Sequence, residues 1–257
     1  VKQISLGKDF GCALLNNGSV RCWGKNNYGQ LGNGSEETES LTPVSVSGLT
    51  GADVGPKITQ ISSGHYHTCG VTADFKVYCW GSNFYGQFGS GSTGGIRVPR
   101  LVSPLAAVNQ IFAGNEQTCF QMMDRSIQCS GFNHYGQLGP ASLGGYFMAA
   151  QAVGGLTNIA VLSTYFNHTC AVTTDGTLKC LGGNSWGQLG DQSRTPSSVP
   201  VTAKIETKAT KVAVSGVNTC YLDPTGKVYC FGSNGYGGLG TGDRTPVDGP
   251  VMVRIRR

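Results

Sequence analysis

Ten cysteines fall into five pairs, Cys12 with Cys22, Cys69 with Cys79, Cys119 with Cys129, Cys170 with Cys180 and Cys220 with Cys230, each with nine residues between its members. An even separation puts both side chains on the same face of a hairpin, directly opposite each other when the turn is centred between them. Each pair is therefore expected to form a cross-strand disulfide. Zinc would need four ligands at closer spacing, and no His arrangement repeats with the pairs. With no cysteine left over, the chain reads as one that folds in an oxidising compartment.

Each pair sits inside a longer repeat. The second cysteine lies in VRCWGKNNYGQLG (Val20 to Gly32), KVYCWGSNFYGQFG (Lys76 to Gly89), SIQCSGFNHYGQLG (Ser126 to Gly139), TLKCLGGNSWGQLG (Thr177 to Gly190) and KVYCFGSNGYGGLG (Lys227 to Gly240). A β-branched, largely alternating run precedes each first cysteine, at Val1 to Ser5, Lys57 to Ser62, Val108 to Ala113, Ile159 to Ser163 and Lys211 to Ser215, as half-buried strands do. Asn17-Gly18, Asp175-Gly176 and Thr225-Gly226 supply hairpin turns, whereas Asp74-Phe75 and Asp124-Arg125 lack the Gly and are expected to use another turn type. A polar loop and a Pro near an apolar strand then close the repeat, as at Pro43-Val44, Pro99 to Val102, Pro200-Val201 and Pro250-Val251. Four short strands in a unit of about 50 residues are the pattern of a propeller blade. The expectation is all-β: a β-propeller of five repeats, about 1–56, 57–107, 108–158, 159–210 and 211–257, with four antiparallel strands per blade in one domain spanning 1–257.

Forty glycines with 13% charged residues make the chain turn-rich, but 39% hydrophobic content and a steady period separate it from disordered sequence. The net charge of +5 is scattered apart from Arg254, Arg256 and Arg257, which read as a solvated terminus, so no nucleic-acid partner is expected. No apolar run approaches a membrane span, and membrane insertion is not expected. Val1 in place of Met is what a processed or trimmed chain would show.

The chemistry of catalysis is hard to assemble here. His67 and His168 share a repeat position with Phe10, Gln117 and Asn218, which makes the position structural. His65 and His67 read as lying on one face of a strand at metal-ligand spacing but lack a third ligand, so no metal site is expected; His134 has no repeat counterpart. The glycines precede no helix and carry no P-loop Lys, and no cofactor is expected. Asn26, Asn83, Asn133, Asn184 and Asn234 are expected to bond turn backbone. Tyr28, Tyr85, Tyr135, Trp186 and Tyr236 are expected to pack between blades.

His67-Thr68 ahead of a first cysteine, Asp175-Gly176 at a hairpin turn, Trp80-Gly81, Asn83, Tyr85 and Gly86-Gln87-Phe88-Gly89 together resemble the repeat of the regulator of chromosome condensation family. The resemblance runs through all five repeats. It implies a β-propeller, from whose usual seven blades five repeats are a departure that fits either a five-bladed ring or part of a longer array. It also implies protein-partner binding as the common use of the scaffold, including extracellular receptor and inhibitor versions. The family's best known activity, guanine nucleotide exchange on a small GTPase, and a chromatin-associated role form the alternative. No exchange residue carries over, because the shared motif builds the repeat.

The expected function is a non-catalytic extracellular module, secreted or on the cell surface, that binds a protein or glycan partner or copies of itself. Sequons at Asn17, Asn33 and Asn167 agree with that placement. Specificity is expected in the loops that differ between repeats: Ser35 to Pro56 with Glu36, Glu37 and Glu39, Ser90 to Arg97, Pro140 to Ala149 and Asp191 to Ser198. Within them Tyr146, Phe147 and Met148 form an apolar cluster suited to partner contact.

Overall fold

Every repeat folds into one four-stranded antiparallel sheet. In the computed structural model, which describes residues 1–49, 55–105, 107–139, 145–245 and 247–254, the first sheet comprises β1 (Gln3–Leu6), β2 (Phe10–Leu14), β3 (Val20–Lys25) and β4 (Glu39–Ser45). The second comprises β5 (Ile58–Ser63), β6 (His67–Thr72), β7 (Val77–Gly81) and β8 (Ile96–Leu101). The third comprises β9 (Val108–Ala113), β10 (Gln117–Met122), β11 (Ile127–Phe132) and β12 (Tyr146–Ala152). The fourth holds β13 (Ile159–Thr164), β14 (His168–Thr173), β15 (Leu178–Gly182) and β16 (Ser197–Thr202), and the fifth β17 (Lys211–Val214), β18 (Asn218–Leu222), β19 (Val228–Gly232) and β20 (Val247–Met252). In all five the strands pair in chain order. Pro43, Pro99, Pro200 and Pro250 all fall in the fourth, outermost strand, where a missing N–H disturbs the ladder least.

The chain divides into two compact units, one of Val1–Met123, Gln128–Phe132 and Tyr146–Gln151, the other of Asp124–Ile127, Asn133–Gly145 and Ala152–Arg257. Part of the loop Ser35 to Pro56, part of the loop Pro140 to Ala149, and Arg256 and Arg257 of the basic tail lie outside the described residues.

Cys12 pairs with Cys22, and Cys69 with Cys79, directly across the central hairpins; the same register holds at Cys170 and Cys180 and at Cys220 and Cys230. All five disulfides are formed with Cα atoms 4.1 Å apart, the close approach of strand positions that share no backbone hydrogen bond. The hairpin tips correct one expectation. Gly18, Gly176 and Gly226 take φ of 88°, 89° and 85°, but Phe75 and Arg125 adopt the same left-handed region at 62° and 63°. The N–H of Phe75 donates to the carbonyl of Thr72 at 3.0 Å, just as Gly176 donates to Thr173 at 3.0 Å, so the turn is shared although the residue is not. A left-handed φ costs a non-glycine residue about 1–2 kcal/mol. Replacing the exposed Arg125 by Gly is expected to stabilise the fold by roughly 0.5–1 kcal/mol after the greater freedom of unfolded glycine is subtracted. Thermal melts of Arg125→Gly check this; a lower midpoint would contradict it.

Neighbouring blades within each unit are joined by a recurring clasp. Gln3 on β1 exchanges two hydrogen bonds with the backbone of Ile61 on β5, at 2.8 and 2.9 Å, and Gln60 does the same to Ile111 on β9, at 3.1 and 3.0 Å. Ser5, Ser62 and Ser163 accept the N–H of Ser63, Ala113 and Val214 from the following blade. Apolar side chains of that following strand, Ile61 at 0% exposure, Ile111 at 1% and Val212 at 9%, are inserted into the preceding blade's core. Trp80 adds to this plug: it is fully buried with the first blade's core, and its indole N–H donates to the carbonyl of Gln30 at 3.0 Å. In these three junctions the following blade thus completes the core of the one before it.

Candidate interaction surface

The turn after each third strand is built by the repeat's Asn and, in the first four blades, by its Gln. Asn83 accepts the N–H of Phe88 at 2.9 Å and donates to the carbonyl of Ser92 at 2.9 Å, while Gln87 accepts the N–H of Tyr85 at 2.9 Å. The same Asn-to-backbone bond is made by Asn26, Asn133, Asn184 and Asn234 to Leu31, Leu138, Leu189 and Leu239. All five Asn side chains are buried, as the sequence predicts for a backbone-bonding amide.

What these turns hold up is a set of aromatic rings. The expectation that the repeat's Tyr or Trp packs between blades is corrected in part: Tyr28, Tyr135 and Trp186 are 42%, 38% and 48% exposed, and Tyr236 is wholly exposed. A turn stapled by internal amide bonds needs no aromatic plug, so the ring projects from it and meets the next blade only along an edge. In the first unit Tyr28 lies 4.9 Å from Tyr66 and 6.0 Å from Phe84, and Tyr85 lies 5.4 Å from Phe132 and 6.0 Å from Tyr146. Lys8 sits over the Tyr66 ring at 5.5 Å, and Lys25 pairs with Asp9 at 2.9 Å, so charge borders the rings. In the second unit Tyr135 lies 6.1 Å from Phe166, itself 41% exposed, and next to His134 at 5.4 Å.

Tyr146, Phe147 and Met148 lie on a strand, β12, and not in a loop. The pleat separates them: Tyr146 and Met148 are exposed and Phe147 between them is half-buried, so the three do not form one patch. Tyr66, Phe84, Phe132 and Phe166 were not evident from the sequence as surface groups. Their signal was present, since each is a position where the repeats differ beside one where they agree.

The remaining residues singled out in the sequence have definite settings. His65 precedes β6 and is half-exposed, whereas His67 is fully buried and bonds Thr118 at 2.9 Å through Nε2, so the two do not share a face. His168 is buried likewise, with Nε2 on Thr219 at 2.8 Å and Nδ1 on Asn167 at 3.0 Å. Desolvation holds both imidazoles down to about 3. Among the described residues no three His, Cys, Asp or Glu side chains are grouped to hold a metal ion. Asn17 is exposed at a hairpin tip and accepts both the N–H and the hydroxyl of Ser19, at 3.1 and 2.8 Å; Asn33 is half-buried and accepts the N–H of Ser35 at 3.2 Å; Asn167 is half-buried against His168.

The sequence pattern of the Regulator of chromosome condensation (RCC1) repeat matches residues 17–71 and 76–121 in one form and residues 1–30, 58–87, 159–188 and 209–237 in another, together well over half of the chain. The chain belongs to the RCC1 repeat family. The ultraviolet-B receptor UVR8 of Arabidopsis thaliana is 29% identical over 84% of this chain and 48% of its own length. Human E3 ubiquitin-protein ligase HERC2 is 40% identical over 41% of this chain and 2% of its own length. The chain thus spans half or less of these relatives. Among solved structures, Prp20p of Saccharomyces cerevisiae superposes with a TM-score of 0.85 at 20% identity, over 98% of this chain and 63% of that one. Human WBSCR16 gives the same score at 23% identity over 98% and 66%. The fold of this RCC1 chain is accordingly a β-propeller built of five four-stranded blades, and its five disulfides suit an oxidising environment.

Proposed function

We propose that this RCC1 chain is a non-catalytic extracellular recognition module that grips a protein partner with the aromatic rings raised on its blade turns. The observation that carries the reading is the exposed rings of Tyr28 and Phe84, 6.0 Å apart, and of Tyr146, 6.0 Å from Tyr85, on a frame whose cysteines are all in disulfides. Large aromatic side chains supply contact area at low entropic cost and dominate protein interfaces. The structure of Prp20p is described with its binding to Gsp1p and histones, so a propeller of this fold serves protein recognition. The ectodomain of the Physcomitrella patens receptor kinase CR4, with a TM-score of 0.56, is a case of the fold outside a cell. Sugar attached at Asn17, Asn33 or Asn167 would support the same placement, and a mass loss on glycosidase treatment of secreted material reads it out.

Screening the oxidised protein against displayed extracellular proteins, with Tyr28→Ser, Phe84→Ser and Tyr146→Ser combined as the control, tests the reading. Loss of tenfold or more in affinity with an unchanged melting temperature is expected. A partner held equally well by the triple variant would remove the aromatic surface from the account. The exchange-factor alternative predicts instead that the reduced chain accelerates nucleotide release from a small GTPase.

A further inference from the structure

The junction of the fourth and fifth blades departs from the repeat on both of its sides at once. Two residues after the last glycine of the motif the backbone turns left-handed, at Gly34 with φ 76°, Gly91 with 82° and Gly242 with 89°. In the fourth blade that residue is the exposed Gln192, at 66°. A side chain is disfavoured in this conformation, and such strain concentrates where a site needs the group. Across from it, Gly249 of β20 stands two residues before the strand partner of the second cysteine, where β4, β8 and β16 carry Thr42, Val98 and Val199. Between the first two blades bulk and space are the other way round: Val98 Cγ1 lies 3.3 Å from where a Cβ of Gly34 would be.

A crevice of ≈ 350 Å³ opens beside Gln192 and Gly249, with Tyr221 and Tyr229 in its wall. These two tyrosines are direct cross-strand partners on β18 and β19, stacked with ring centroids 5.1 Å apart and planes at 11°. The same pair is Ala13 with Arg21, Gly70 with Tyr78 and Ala171 with Lys179 in the first, second and fourth blades, none of which has the double ring. Tyr221 is packed with Leu178 and Leu189, so this is the side of the fifth blade that faces the fourth. Tyr221 is buried and Tyr229 half-buried, while Lys204 and Glu206 stand exposed at the rim, and Lys204 Nζ donates to Gln192 Oε1 at 3.3 Å.

We propose that this crevice binds a sugar, one pyranose ring laying its C–H face on Tyr229 with its hydroxyls bonded by Gln192, Lys204 and Glu206. The volume is at the small end of ligand sites, about 300–1,000 Å³, and suits a single ring. A hydroxyl both donates and accepts, which matches a rim that holds an amide, an ammonium and a carboxylate. Glu206 opposes a phosphate, and a wholly apolar ligand would leave the three polar groups without partners. The crevice lies within the second unit and does not rest on the aromatic surface of the first.

Saturation-transfer NMR of the oxidised chain with the methyl glycosides of glucose, galactose, mannose and N-acetylglucosamine tests the proposal. At least one is expected to receive saturation, most strongly at its ring C–H protons, and inorganic phosphate is expected not to displace it. Gly249→Val installs the residue of the second and fourth blades, and its Cβ would meet Gln192 Cγ at an ordinary 3.8 Å. It is expected to keep the melting temperature and abolish the signal by filling the crevice. Gln192→Gly installs the turn residue of the other blades and is expected to weaken binding about tenfold, the loss of one good hydrogen bond, without lowering the melting temperature. Tyr28→Ser, Phe84→Ser and Tyr146→Ser combined should leave sugar binding untouched, which separates a failure here from a failure of the protein-recognition surface. No glycoside saturated by the wild-type chain, displacement by phosphate, or an undiminished signal from folded Gly249→Val would overturn the proposal.

Discussion

Reduction of the five disulfides is expected to unfold this chain at ambient temperature. Each bond closes a loop between residues 10 apart in sequence, and a loop of that size removes unfolded-state entropy worth roughly 2–3 kcal/mol. Five such loops do not overlap in sequence, so their effects should approach additivity, on the order of 10–15 kcal/mol in all. Whole domains are commonly stable by only about 5–15 kcal/mol. Urea titrations with and without a phosphine reductant check this: a midpoint close to zero denaturant is expected after reduction. The single-bond variant Cys69→Ala with Cys79→Ala should lose about 2–3 kcal/mol from the loop plus a small cavity cost, since both sulfurs are fully buried. An unchanged midpoint after full reduction would show that blade packing alone holds the fold.

The second large effect is on acid. His67 and His168 are neutral in the fold with imidazoles held at about 3 by desolvation, against about 6.5 when unfolded. Between those values the unfolded chain binds protons that the folded chain does not, so stability is full above pH 6.5 and falls as the pH drops towards 3. Each histidine contributes about 1.4 kcal/mol per pH unit in that window, and at pH 5 the two together cost about 4 kcal/mol. His65, lowered first by burial and then by Lys8, acts in the same sense. The depressed carboxylates Asp74, Asp124 and Asp175 lose their contribution only at lower pH, below the ordinary 3.8, while half-buried Glu116, raised by desolvation above its ordinary 4.5, acts in the opposite sense to the histidines. Gln117 already fills this position on β10 and is fully buried. His67→Gln with His168→Gln should therefore fold and should flatten the pH dependence of the denaturation midpoint between pH 5 and 6.5; an equally steep profile would rule the two histidines out as its cause.

The hairpins could be read from sequence because everything that defines them is local. The spacing of Cys12 and Cys22 sets the register, and Gly18 or Asp175-Gly176 sets the turn. Four of the five fourth strands were marked by their prolines for the same reason, whereas β12 has none and reads as a loop. Three kinds of feature escaped. Phe75 and Arg125 take a glycine's conformation because the surrounding turn bonds hold them there, and no residue preference reveals that. Tyr28 and Tyr236 repeat like core residues yet lie at the surface, because a period records a shared geometry and not burial. The exposure of Ile4 could not be read at all, since it resembles its buried counterparts Ile61 and Ile111.

The account as a whole depends on five closed hairpins, since the disulfide frame suits an oxidising environment and supports the surface proposed for recognition. Peptide mapping of the native protein without reductant tests this most directly. Five linked peptide pairs, Cys12–Cys22, Cys69–Cys79, Cys119–Cys129, Cys170–Cys180 and Cys220–Cys230, with no free thiol are expected. Free thiols at all ten positions in protein taken from its natural source would contradict the account and favour the intracellular exchange-factor reading.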